Sequence, residues 1–317
     1  MTLFDQDPEG ESRPGPVEQG PAPSAEVEPA PPDHEPEHEP EHEPEHPSVR
    51  RADPGSGPVV RVRMKVAYDG SDYRGFAVNR GVRTVGGDLA AALGRVLGHE
   101  VAVTCAGRTD AGVHAWGQVI HFDTPAEPDL PALQRSLNKM LAPTVVVRAA
   151  AVAEPGFDAR HSATARVYRY TLLNRPLPDP FLATTTWHVD EPLDLSSMVL
   201  ACDPLLGKHD WSSFCKRPPA PDPALGPRSL VRVVRHAGWT DLGQGVLRFE
   251  IAASAFCHQM VRSVVGTLVA VGRGRMRAGD IGAVIRAGDR AMAAEPAPPH
   301  GLCLWRVTYP DTASGTA

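Results

Sequence analysis

Glu100-Val101-Ala102-Val103-Thr104-Cys105-Ala106-Gly107-Arg108-Thr109-Asp110-Ala111-Gly112-Val113-His114-Ala115-Trp116-Gly117-Gln118-Val119-Ile120-His121-Phe122 is the stretch on which the reading of the fold turns. Two β-type runs, Glu100–Cys105 and Gly117–Phe122, flank a polar loop punctuated by glycine. Strands joined this way hold Asp110 at a rim, between Arg108 and a Gly turn, where a carboxylate can meet a ligand. The same residues also fit an ordinary Asp-x-Gly turn in which the carboxylate caps its own backbone.

Working outward, Val60 to Tyr68 alternates strictly, as a strand with one wet face does, and Asp69-Gly70-Ser71 breaks it. Thr84 is placed to cap a helix carrying Val85, Leu89, Leu93 and Leu97. After the two runs around Asp110, Leu130–Leu141 reads as a helix with Leu133, Leu137 and Met140 on one face, and Val145–Arg148 as a strand. Strand, helix, two strands, helix, strand is a ferredoxin-like α+β order. The second half repeats it with longer insertions: a strand at Ala165–Leu173, a helix at Ser196–Leu206, a Pro-rich loop at Pro218–Pro227 and strands at Leu230–Arg235 and Gly245–Ala252. Helices at Phe256–Val271 and 278–288 and a closing strand at Leu302–Tyr309 complete it. The expected architecture is two α+β lobes, 59–153 and 154–310, sharing an antiparallel sheet with a central cleft.

Residues 1–58 read differently. They are rich in Pro and Glu, nearly lack large apolar side chains, and cannot offset the entropy of ordering, so they are expected to be disordered; 311–317 is expected to be a disordered tail. Within the arm, His-Glu-Pro-Glu repeats from His34, His38 and His42, ending at His46. Proline at every fourth position excludes a helical ligand face, and an acidic spacer explains the repeat more simply than metal binding. Residues 1–50 hold 14 acids and two bases, while the rest holds 30 bases against 24 acids. The net charge of −6 therefore belongs to the arm, and a basic body leaves a polyanion such as nucleic acid open as partner.

Five scattered cysteines (Cys105, Cys202, Cys215, Cys257, Cys303) without C-x-x-C spacing argue against a disulfide framework or zinc site and suit a reducing cytosol. No signal peptide and no membrane span is expected. The chain has no G-x-x-x-x-G-K-[ST] or G-x-S-x-G motif, and Gly272-Arg273-Gly274-Arg275 reads as a helix C-terminus.

The chemistry-bearing residues converge on Asp110. The run Met260 to Val271 is apolar nearly all round, which predicts a buried helix. Arg262 in its middle needs a carboxylate or a set of acceptors, and Asp110 is the best candidate, although the guanidinium could also snorkel to the helix edge. His258, four residues earlier, would share its face. Tyr168, Tyr170 and Arg166 share one strand face, where an aromatic beside cations can stack a nucleobase; half-buried core tyrosines fit equally. Arg61, Arg63 and Lys65 could meet phosphates or simply face solvent.

These segments resemble the tRNA pseudouridine synthase A family. The resemblance rests on Tyr68-Asp69-Gly70-Ser71 with Tyr73 and Gly75, the Gly107–Ala115 block, Phe157–Arg166 running into Tyr168-Arg169-Tyr170, Ser212-Ser213-Phe214, and Phe256–Arg262 with Gly266. It covers roughly residues 60–310. It implies that Asp110 is the catalytic nucleophile, that Tyr168 contacts the uracil, that Arg108 helps draw the nucleotide from the stack and that Arg262 pairs with the aspartate. The implied reaction is isomerisation of uridine to pseudouridine at positions 38, 39 and 40 of the tRNA anticodon stem–loop, by a cofactor-free and metal-free homodimer in the cytoplasm. Arg166 and His258 are expected to bind substrate. Gly75-Phe76-Ala77 stands where Gly-Trp-Gln is usual, and Thr84-Val85-Gly86 where Thr-Val-Gln is common. The acidic arm, without a counterpart in the family, is expected to compete with non-specific RNA; unchanged low-salt RNA affinity after deletion of residues 1–50 would refute this. A non-catalytic RNA-binding module is the rival reading, but it would gain nothing from a carboxylate facing phosphates. An aspartate hydrolase would bring further carboxylates.

Overall fold

A computed structural model describes residues 59–216 and 229–310. The arm 1–58 with its His-Glu-Pro-Glu repeat, the Pro218–Pro227 loop and the tail 311–317 lie outside the described residues. The strict alternation at the start becomes β1 (Val60–Tyr68), with Val62, Met64 and Val66 buried and Lys65 exposed. Helix α1 (Val85–Leu97) is capped by Thr84, whose hydroxyl accepts from the Gly87 N–H, and ends at Gly98 in the left-handed conformation. Then follow β2 (Thr104–Cys105), β3 (His114–Thr124), α2 (Leu130–Leu141), capped by Asp129, and β4 (Val145–Val152). The second half comprises β5 (Ala165–Asn174), β6 (Trp187–Val189), α3 (Leu195–Leu200), β7 (Gly207–Asp210), β8 (Val231–Asp241), β9 (Val246–Ala253), α4 (Met260–Gly272), α5 (Ile281–Ala287) and β10 (Leu302–Thr308).

The strands form one sheet in the order β4-β1-β3-β10-β5-β9-β8-β7, with β2 added to β3 and β6 to β5. The α+β class and the β-α-β-β-α-β order of the first half are those expected. The sheet is mostly antiparallel, but β10 runs parallel to β3 and β6 parallel to β5. The first half supplies one side and β5 to β9 the other, and β10 closes the seam between them.

The short β2 lies on the same edge of β3 as that seam. The expected strand Glu100–Cys105 pairs only through Thr104 and Cys105, opposite His121 and Ile120. Farther along the same edge, β10 takes His114 and Ala115 as partners. Two strands thus share one edge of β3, and the chain between them must leave the sheet as a loop. Asp110 is on that loop.

Other expectations need correction. The helix Ser196–Leu206 ends at Leu200 because Pro204 cannot donate to an α-helical ladder, and the chain closes with a 3₁₀ turn at Asp203–Leu205. The helix expected from Phe256 starts at Met260, after Gln259 in the left-handed conformation (φ 62°), so Phe256 and His258 lie on the preceding loop. The helix at 278–288 contracts to α5, preceded by a 3₁₀ turn. Cys215 and Cys257 are joined in a disulfide (Cα–Cα 5.8 Å), a single bridge where the spacing argued against a disulfide framework, whereas Cys105, Cys202 and Cys303 are free. Among the described residues no helix is long and apolar enough to cross a membrane.

Candidate active site

The Asp110 loop is held along its whole length. At its start Ala106 donates its N–H to the Val119 carbonyl, and its own carbonyl accepts from Arg166 Nη2 at 3.0 Å. The Gln118 side chain, buried on β3, donates from Nε2 to the Gly107 carbonyl at 2.6 Å. Thr109 shares a hydrogen bond of 2.7 Å with the Tyr68 hydroxyl, and its carbonyl accepts from the Phe76 N–H. Gly75 explains that last contact: its φ is +96°, and a Cβ there would lie 2.9 Å from the Thr109 oxygen. Beyond the loop, His114 Nδ1 accepts from the Gly70 N–H while Nε2 lies 3.1 and 3.0 Å from the Thr184 and His300 carbonyls. Nδ1 also lies 3.1 Å from an Asp69 carboxylate oxygen. Side-chain bonds to loop backbone thus replace the missing sheet ladder.

Asp110, partly exposed, faces two side chains from the far half of the sequence. His258 Nε2 lies 3.4 Å from one carboxylate oxygen and Arg262 Nη1 lies 3.7 Å from the other. The histidine reaches Asp110 from the loop before α4, not from the helical face shared with Arg262. The guanidinium is aimed by a second contact: its Nε donates to the Ala297 carbonyl at 2.7 Å, and the Ala297 N–H donates to the Arg262 carbonyl at 2.9 Å. Burial and the Asp110 carboxylate both push the Tyr168 phenol up, so it stays a neutral donor at physiological pH. The Phe256 ring stands edge-on to it at 5.0 Å.

Asp110, Arg262 and His258 therefore meet, Tyr168 lies within reach of the Asp110 charge, and Arg108 is exposed on the same loop. Arg166 is buried and its guanidinium donates to backbone carbonyls, where desolvation lowers its pKa. Tyr170 is also turned inward, donating its hydroxyl to the Pro298 carbonyl. Arg61, Arg63 and Lys65 alternate with Val62, Met64 and Val66 and so face away from Tyr68 and the Asp110 loop. Of these, Arg61 is engaged by both oxygens of Asp123.

Comparison with known proteins bears on this arrangement. Residues 201–310 match a family model described as tRNA pseudouridine synthase. A tRNA pseudouridine synthase A of Moorella thermoacetica is 40% identical over 250 residues, which is 78% of this chain and 99% of that protein. The chain belongs to the tRNA pseudouridine synthase A family. Relatives of the same name from Frankia casuarinae and Bacillus subtilis are 42% identical over 80% of the chain and 36% identical over 79%, covering 90% and 99% of their own lengths.

In this tRNA pseudouridine synthase A family member, several residues that build the site escaped the sequence reading. Gln118 and Tyr68 hold the loop from the sheet, and Ala297 aims Arg262 through its backbone alone. Gln118 is a polar residue among apolar strand neighbours, which was the available signal. A backbone acceptor such as Ala297 leaves none.

Proposed function

We propose that this isomerase converts uridine to pseudouridine at positions 38, 39 and 40 of the tRNA anticodon stem–loop, with Asp110 as nucleophile. The observation that carries the reading is a single loop carboxylate set 3.4 Å from His258 and 3.7 Å from Arg262, whose charge also pushes the Tyr168 phenol up. Taking a uridine out of its stack costs a few kcal/mol. Arg108 on the rim occupies the gap left by the base, and Tyr168 supports the uracil. Arg262 and His258 orient the Asp110 carboxylate, which attacks the uracil ring or the ribose C1′. The N1–C1′ bond breaks, the ring turns, C5 bonds to C1′, the C–O bond to Asp110 is cleaved to return the free carboxylate, and the C5 proton leaves to solvent. No atom is gained or lost apart from that proton, which N1 regains from water. The chain acts in the cytoplasm as a homodimer, with the tRNA lying across both copies.

Tritium release from tRNA labelled with [5-³H]uridine tests this directly. Wild type should release tritium, and Asp110→Ala, with an unchanged circular dichroism spectrum, should release none. Tight tRNA binding by wild type without release on several tRNAs would instead favour a binding module.

A further inference from the structure

Arg166 has no role in the chemistry described above, yet it ties together three segments that build the site. It lies on β5, is buried, and donates only to backbone carbonyls. Nη2 serves Ala106 at 3.0 Å and Arg160; Nη1 serves Ser254 at 2.8 Å and Ala163 at 3.2 Å. These four acceptors lie on three segments far apart in sequence. Ala106 opens the Asp110 loop, Arg160 and Ala163 belong to the turn before β5, and Ser254 opens the loop carrying Phe256 and His258. Only a planar fork of donors can reach carbonyls on several sides at once; an ammonium offers three donors from a single point.

We propose that Arg166 is a positioning residue that sets the spacing between Asp110 and its His258–Phe256 flank by clamping the two loop roots to a third segment. It touches no substrate. The inference rests on the reading of Asp110 as nucleophile for its catalytic consequence, but the clamp itself can be tested apart from activity. Each clamped segment has a hydrogen-bonded backbone amide to report on it: Ala106 to Val119, Ser162 to Asp158 and Ser254 to Val233. In the wild-type protein these three amides should share one opening free energy in native-state hydrogen exchange at rising denaturant. Independent opening of the three would overturn the clamp.

Arg166→Lys supplies the functional arm. It keeps the charge and loses the fork, so tritium release should fall about 100-fold in kcat, the scale of a misplacement near 1 Å. The tRNA Kd should stay within about twofold, and the slope of log Kd against log salt should not change. A substrate contact would instead weaken tRNA binding with kcat retained; that result, or wild-type kcat in the lysine variant, refutes the proposal. If Arg166→Lys does not fold, the exchange experiment on wild type still decides. If wild type releases no tritium, the functional reading falls, while the shared or separate opening of the three amides continues to judge the clamp.

Discussion

Replacing Gly266 by alanine sets helix propensity against the geometry of the site. Gly266 lies in α4, one turn after Arg262. A glycine inside a helix ordinarily costs about 1 kcal/mol relative to alanine, so propensity alone predicts a more stable variant. Here a Cβ would lie 1.9 Å from the Glu295 carbonyl oxygen and 3.2 Å from the Ala297 nitrogen, both backbone atoms. Contact distance demands that the 295–297 segment retreat by roughly 1 Å, and overpacking of this kind costs about 1–3 kcal/mol. The retreat also acts on the site, because Ala297 exchanges two hydrogen bonds with Arg262. Arg262 would lose its aim at Asp110, and a 1 Å error is worth about 100-fold in rate. Gly282 in α5 is the control: its Cβ would meet only Arg286 Nη1, a flexible end, at 3.2 Å and Pro204 at 3.9 Å. Thermal melts and tritium release on both variants check this. Gly266→Ala should melt lower by about 2–4 °C per kcal/mol lost and turn over about 100-fold more slowly, while Gly282→Ala matches or exceeds wild type. A Gly266→Ala protein that melts higher than wild type and turns over at its rate would refute the reasoning.

Further expectations concern other parts of the fold. Burial lowers the pKa of His121 and of His300 below the ordinary 6.5. The unfolded chain then binds protons that the folded one refuses, so stability is full above about pH 6.5 and falls as the pH drops through the folded values. Denaturation titrations should show this fall, and His121→Gln should make it shallower; an unchanged slope would count against the assignment. Without reductant, alkylation of the denatured protein should label three cysteines, and after reduction all five, because Cys215 and Cys257 are paired; five labelled at the outset would deny the bridge. Closing a 42-residue separation, the bridge should contribute at most about 4 kcal/mol in the chain-entropy account, read as a lower denaturant midpoint on reduction. Tyr170→Phe should leave the Pro298 carbonyl without its donor at a cost of about 1–3 kcal/mol, and a midpoint equal to wild type would show that carbonyl to be otherwise satisfied.

Local patterns carried much of this fold in plain view. The alternation of Val60 to Tyr68 and the Thr84 cap ahead of the leucine run mark β1 and α1 because strand period and cap chemistry are properties of neighbouring residues. A buried helix with one arginine implied an acceptor, and Arg262 stands 3.7 Å from Asp110 and 2.7 Å from the Ala297 carbonyl. What local patterns could not carry was set by distant competition. The run Glu100–Cys105 reads as a full strand, yet only Thr104 and Cys105 pair with β3, and β10 takes the edge farther along. Gln259 takes a left-handed conformation with no glycine or asparagine to announce it, so the start of α4 is hidden, and His258 meets Asp110 from a loop. Alternation placed Arg166 and Tyr170 on the face of Tyr168 but could not say how deep that face lies. Depth depends on the loops laid over it, and both side chains are spent on backbone carbonyls there.

The position of β10 has a consequence for how the protein is made. Synthesis delivers Asp110, Tyr168, His258 and Arg262 to the ribosome's exit long before Leu302–Thr308, yet the edge of β3 that defines the Asp110 loop is completed only by that strand. Domains assemble as units during translation, so a nascent or truncated chain ending before Leu302 should carry every proposed reacting group and release no tritium. Supplying a synthetic peptide spanning 295–310 to such a fragment would be the test, since recovered turnover would date the birth of the active site to the moment the seam is closed.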